Sequence, residues 1–536
     1  MIHSHVKIYF LILFFIIFFL PQYIISSPIT VPLEHWSYQF IERFQTKGIL
    51  REYLSNIKPY SRDEVAEMIF KISKSLDSGE INLTNTEKKQ LELLKSEFND
   101  ELTRLGILDI PEYKSFINWR DKQKRFVVQI GYNQDAEIKR GTEDSHSTLS
   151  TLQVASQANF GDSFFFYNDT RASYNTKPLS IWHPYIDADR YPWNAMSNAY
   201  IIFGLKWTNL QIGKDTVLWG PGYHGVVELS AIDPAFDLIR FPIEFWKMKL
   251  TNMMGFLRDE NSKDDSKLDK KYLFAHRLEY YPINGVCIGW QEAYIYDKIH
   301  ISLLNPVMPY QMAEDYLGQV GNNTMALDLD LCLIPDTRFY SALFLNDFHP
   351  EESFFTYSPN SWSILGGILI TDPFKFRDSD FRIEYARVEP WAYSHKNINQ
   401  TYSHFGIPLG HWMGSNSDDL LFEANNYITD NFTAKLSYNR IRTGEIGSSF
   451  YDYFTSKGLE KRFLEGITEK RHEVSLAFEY RIFQDSTINV GYSYILIKNK
   501  QNEEAKLPPK HKQKQSWQLG KDLSQNSIQL SIKLKY

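Results

Sequence analysis

From Lys124 to the C-terminus, apolar and polar residues alternate with a period of two, the signature of strands with one greasy and one wet face. Val474, Leu476, Phe478, Tyr480 and Ile482 share one face; Glu473, Ser475, Ala477, Glu479 and Arg481 share the other. After a turn at Gln484-Asp485-Ser486 the apolar set resumes at Ile488, Val490, Tyr492 and Tyr494. The last strand sets Ile528, Leu530, Ile532, Leu534 and Tyr536 against Gln529, Ser531, Lys533 and Lys535. Nearer the start, Phe126, Val128, Ile130 and Tyr132 alternate with Val127, Gln129, Gly131 and Asn133.

Alternation alone also fits a soluble sandwich, so connection lengths discriminate. Counting back from Tyr536 places strands near 527–536, 488–497, 472–482, 432–442, 420–428, 379–388, 361–370, 337–346 and 325–334. Connections of one parity are short: 484–486, 429–431, 335–336 and 372–378. Those of the other are long: 498–526, 443–471, 389–419 and 347–360. Short turns at one rim and long loops at the other are the pattern of a transmembrane β-barrel. Strand phase is ambiguous across 281–305, but further strands fit upstream, giving about 18 antiparallel strands in all. The set assigned to the lumen is polar: Asp328, Asp330, Arg382, Glu384, Glu479 and Arg481, which implies a wet or plugged interior.

Before Lys124 the period is helical. Trp36, Phe40 and Phe44 recur every four residues before Gly48, and Ser61-Arg62-Asp63-Glu64 reads as a capping box ahead of Val65, Met68, Ile69 and Ile72. A third helix opens at Thr84 and carries Leu91, Leu94, Phe98, Leu102 and Leu105 as far as Gly106. At the extreme N-terminus, Lys7 precedes an apolar run from Ile8 to Leu20. That run is too short for the ~18 residues of a membrane span and suits a signal peptide cut near Ser26. The expected organisation is a signal peptide over 1–26, a helical periplasmic region over 27–115 and a barrel over 120–536, with both mature termini periplasmic.

Composition sharpens this picture. Aromatic residues make up 15% of the chain while mean hydropathy is −0.38, which fits alternating strands and excludes a bundle of membrane helices. Without the leader, 57 basic residues face 65 acidic ones, and nothing suggests nucleic-acid binding. Cys287 and Cys332 fit an oxidising compartment, and sequence leaves open whether they pair. The chain carries no HExxH, GxxxxGK[ST], GxSxG or CxxC, and His224, His276, His404 and His411 lack metal-ligand spacing. Neither catalysis, a cofactor nor a metal is therefore expected.

Three segments offer binding chemistry. Gln211 to Gly225 runs into a Gly220-Pro221-Gly222 bend expected to expose Trp219 and Tyr223, beside His224. Leu179 to Met196 carries Trp182 and His183 and would form a plug or an outer lid. Between Lys498 and Lys514, six lysines, Lys506, Lys510 and Lys512 among them, face only Glu503 and Glu504. Aromatic faces stack on sugar rings, and such a basic loop attracts acidic glycans or lipopolysaccharide phosphates.

Several of these segments resemble the capsule assembly Wzi family: Trp219 to Gly222, Leu229-Ser230-Ala231, Phe236 to Arg240, Ala275 to Glu279, Gly289 to Ala293 and Leu345 to Phe348. The resemblance implies an outer-membrane barrel that tethers capsular or extracellular polysaccharide without catalysis, although no carbohydrate-contact set carries over position by position. His35-Trp36 through Ala66 separately resembles a single S-layer homology repeat, which implies a cell-wall polymer as a further partner. A porin or substrate channel is the alternative function, and a surface enzyme acting on envelope glycans a third.

Overall fold

The computed structural model describes all residues except 1–28, 108–114, 122–123, 162, 176–192, 232–234, 259–269, 319, 347–352, 354, 356–359, 449–460, 484 and 501–520. The leader, Trp182, His183, Lys506, Lys510 and Lys512 thus lie outside the described residues.

Among the described residues four α-helices come first: α1 (Ser37–Thr46), α2 (Arg62–Asp77), α3 (Asn85–Glu97) and α4 (Asn99–Arg104). The Ser61/Glu64 capping box forms, and Thr84 with Glu87 makes a second one. Phe40, Phe44, Val65, Ile69, Ile72, Leu91, Leu94 and Phe98 build one core. The continuous third helix expected from the spacing breaks at Phe98. At the break Arg62 lies over the Phe98 ring at 4.6 Å and donates to the Glu97 carbonyl at 2.7 Å.

Eighteen antiparallel strands then close into a barrel. They are β1 (Lys124–Gly141), β2 (Ser145–Phe160), β3 (Phe164–Asn175), β4 (Trp193–Leu205), β5 (Thr208–Asp215) and β6 (Phe236–Phe245). Next come β7 (Met248–Leu257), β8 (Lys271–Tyr280), β9 (Val286–Tyr296), β10 (Asn322–Leu331), β11 (Thr337–Asn346) and β12 (Ser361–Thr371). The circuit ends with β13 (Ser379–Val388), β14 (Ser417–Tyr427), β15 (Phe432–Gly444), β16 (Thr468–Phe483), β17 (Ser486–Lys498) and β18 (Leu523–Lys535). β18 seals against β1, with Leu530 opposite Ala136, and the free lower part of β1 pairs with residues 117–121. Closure satisfies the sheet edges that lipid could not.

The alternation falls as the sequence requires. Val474, Leu476, Phe478, Tyr480, Val490, Tyr492, Ile528, Leu530 and Leu534 are exposed on the outer wall, whereas Asp328, Asp330, Arg382 and Glu384 are buried inside. Short turns and long loops segregate to opposite rims, except that β1 and β2 join through only 142–144 at the long-loop rim. The ambiguity near 281–305 has a structural cause. After β9 the chain does not turn back at once, and a helix, α5 (Tyr310–Leu317), lies over the outer wall. The α5 segment covers an outward His276–Glu292 pair: the Tyr310 amide donates to Glu292 at 2.8 Å, and its ring sits 4.4 Å from His276.

The helical region closes the short-turn rim. Arg43, 1% exposed, bonds Asp380 and meets Asp372 at 2.6 Å and Glu87 at 3.2 Å. Thr84 reaches Asp378, Lys89 reaches Asp430, and the Trp36 indole donates to Asp485. Within the stretch that carries the S-layer likeness, Trp36, Arg43 and Glu64 are engaged with the barrel.

Candidate functional site

Three stretches enter the lumen. From the helical side come residues 55–58: Ser55 donates to Glu279 at 2.7 Å and Asn56 to Asp328 at 2.8 Å. From the opposite rim comes the β5–β6 connection, whose Leu218–Trp219 pairs with Ile57–Lys58. Beside it packs the β13–β14 connection, with Tyr393, Tyr402 and Leu409 fully buried against Val227 and Leu229. Arg277 anchors the wall beneath them, bonding Asp328 at 2.7 Å and Glu279 at 3.1 Å with all three buried.

The Gly-Pro-Gly bend is a close-packing device. Gly220 has φ +121°, and a Cβ there would strike the Glu228 carboxylate; one on Gly225 would strike the His411 ring. Here the expected exposure of Trp219 is corrected: its side chain is 0% exposed, clamped between Ile57 and Leu229. Its value is as a core residue at the meeting of both plugging segments, and its faces are not available to a ligand.

Tyr223 and His224 do reach a polar site. The two carboxylate oxygens of Glu384 accept the Tyr223 and His224 backbone amides, each at 2.7 Å. The Tyr223 hydroxyl donates to Glu423 at 2.7 Å, Lys435 donates to it at 3.2 Å, and Arg382 covers one ring face at 3.8 Å. His224 Nδ1 lies 2.6 Å from Asp419. Burial opposes the imidazolium, but the hydrogen bond and charge of Asp419 outweigh it and raise its pKa above 6.5. Trp412, which the sequence reading passed over, donates its indole N–H to the His224 carbonyl at 2.7 Å and sets its ring edge-on to the imidazole. It remains 46% exposed.

This cluster marks the edge of the packed half of the lumen. Inward residues of β7 to β14, such as Asp328, Arg338, Glu384 and Asp419, are almost all buried. Inward residues of β15 to β17 and of β1 and β2, such as Lys435, Asn439, Glu473, Ser475, Glu137 and Thr151, are partly exposed. Carboxylates, amides, hydroxyls and ammonium groups thus line a wettable surface beside an exposed indole. Such a surface can accept and donate hydrogen bonds to a polyhydroxylated ligand while stacking one of its rings. Cys287 and Cys332 are unpaired and buried beside Leu54.

Residues 311–507 match the family model described as Capsule assembly protein Wzi. That span runs from α5 into the loop after β17, so it contains Trp412, Asp419, Glu423, Lys435 and Asn439 but not Tyr223 or His224. No curated protein sequence matches the chain. Among solved structures, one is described as Wzi, an outer membrane protein involved in group 1 capsule assembly in Escherichia coli and a carbohydrate-binding β-barrel. It is 13% identical, covers 94% of this chain and 99% of its own, and has a TM-score of 0.59, a likeness of fold. OpdK of Pseudomonas aeruginosa (8% identical, 77% and 98% covered, TM-score 0.43) and OccAB1 of Acinetobacter baumannii (11%, 76% and 96%, 0.43) are looser matches.

Proposed function

From a chain with a capsule assembly Wzi family segment over residues 311–507 and the fold of an outer-membrane barrel, we propose a protein that binds capsular or extracellular polysaccharide at the cell surface without altering it chemically. The observation that carries this reading is the site beside His224. Trp412 offers an exposed ring against His224, whose imidazole meets Asp419 and Asn439 and whose neighbour Tyr223 meets Glu423 and Lys435.

The long-loop rim faces outward and the helical region sits in the periplasm. A row of cations supports this orientation. Arg442, Lys470 and Lys498 lie directly opposite one another on β15, β16 and β17, on the lipid side at the long-loop end. Asp418 already pairs with Arg442, while Lys470 and Lys498 repel one another unless an anion lies between them, and lipopolysaccharide phosphates in the outer leaflet supply one. In sequence, Lys498 is followed by further lysines at 500, 506, 510, 512 and 514.

The test uses purified barrel and purified acidic and neutral capsular polysaccharides on a glycan array. Trp412→Ala is expected to weaken retention at least tenfold while the barrel stays heat-modifiable. Lys→Gln changes at 506, 510 and 512 should reproduce the loss caused by raising salt, because such attraction is screened over about 8 Å at physiological ionic strength. Absence of retention, or retention indifferent to Trp412, would refute the reading. A channel function draws on the partly exposed inward face of β15 to β17, β1 and β2. Single-channel recording separates the two, since a binding protein filled along β7 to β14 is expected to give no steady conductance.

A further inference from the structure

At the short-turn rim, outside the lumen, His35, Glu97 and Asp485 converge. One nitrogen and two carboxylate oxygens from these residues lie within 4.8 Å of one another. They come from three places: the strap before α1, the last residue of α3, and the β16–β17 turn of the barrel. Their side chains are only 7%, 6% and 2% exposed. His35 Nε2 and Glu97 Oε2 are both buried and make no hydrogen bond. A buried polar atom left without a partner costs on the order of 1–3 kcal/mol, and here two such atoms share one spot.

We propose that His35, Glu97 and Asp485 form a binding site for a divalent transition-metal ion of the zinc class, which staples the helical region to the barrel. One imidazole nitrogen with two carboxylate oxygens is a ligand set that zinc accepts, usually with water in the remaining position. The His35 Nε2 distances of 3.8 Å to both carboxylates leave room for an ion between them, because ligand atoms at about 2.0–2.2 Å from zinc stand well over 3 Å apart. A cleft of about 60 Å³ bordered by the three residues has space for the completing water.

The surroundings hold the ligands in position. Ser37 Oγ lies 2.8 Å from His35 Nδ1 and the Ser37 amide donates toward the same nitrogen at 3.3 Å; an ion on Nε2 requires the Nδ1–H tautomer, for which Ser37 Oγ is the acceptor at hand. Arg62 holds Glu97 at 3.0 Å, and Lys535 holds Asp485 at 2.8 Å while the Trp36 indole also bonds Asp485. These cations fix the carboxylates and also compete with the ion for their charge, so the affinity falls below that of a site built from free carboxylates.

The test is made on the full chain in detergent, stripped with chelator and dialysed against micromolar Zn²⁺. Wild type should retain close to one zinc per folded chain, and His35→Gln and Glu97→Gln should each lose most of it while the barrel remains heat-modifiable. Zinc kept in His35→Gln, or none held by wild type, would overturn the proposal. If the variants do not fold, Co²⁺ binding to wild type decides. An intense visible spectrum of four- or five-coordinate cobalt supports the site, and only the pale spectrum of the hydrated ion refutes it.

Discussion

Leu530→Lys tests the inside–outside assignment most directly. Leu530 is 41% exposed on β18, opposite Val490 on one side and Ala136 on the other. It stands seven residues from Leu523, the start of the strand at the long-loop rim. At about 3.4 Å per residue and a tilt near 45°, that is about 17 Å along the barrel axis, close to the middle of the apolar band. A lysine there meets lipid, with no carboxylate on its own face among Val490, Ala136, Ile528 and Ile532. The cost at the midplane is ~2–4 kcal/mol, which shifts the folding equilibrium by roughly 30- to 900-fold. Ser531→Lys changes the charge equally but points into the lumen, directly opposite Asp135 and Asn489, so its cost should stay within about 1 kcal/mol. Both variants are refolded into liposomes, and the heat-modifiable fraction is followed on unboiled gels against urea. Equal losses, or a greater loss for Ser531→Lys, would refute the register of the closing strand.

Arg43→Met leaves Asp380 buried without its cation, while Lys47 still pairs with Glu87, and should cost about 3–5 kcal/mol; the helical region should become protease-sensitive while the barrel stays heat-modifiable. A cysteine at Lys396 on a long connection should react with an impermeant maleimide on whole cells, while one at Thr429 on a short turn should not; both native cysteines are buried and give little background. Because the His224 pKa is raised by Asp419, this pair contributes stability that is full below pH 6.5 and fades as pH climbs through the raised value. Plug anchoring should therefore loosen between mildly acidic and mildly alkaline pH, seen as increased protease cleavage in the β5–β6 connection, and His224→Gln should remove that dependence.

Period and connection length determined the barrel, because a two-residue repeat assigns each side chain to lipid or lumen without reference to any other part of the chain. The strands placed from 325 to 536, the turns at 372–378 and 429–431, and the inward Asp328, Arg382 and Glu384 were readable for that reason. Local hydrogen bonding likewise announced the Ser61/Glu64 cap, which needs only four consecutive residues. What the sequence could not hold is anything made by long-range packing. The bend at Gly220 looked like a surface turn because Ile57 and Leu229, which bury Trp219, are remote or unremarkable along the chain. Trp412 drew no notice because its meaning comes from His224, brought to it by folding a second long connection into the lumen. The break in helix periodicity at Phe98 coincides with Arg62, which arrives from another helix. His35, Glu97 and Asp485 show no ligand spacing at all, since they belong to three elements that meet only when the helical region docks on the barrel. The chain writes its walls in a local code, and contacts between distant segments decide what fills them, because burial and charge pairing depend on which surfaces meet.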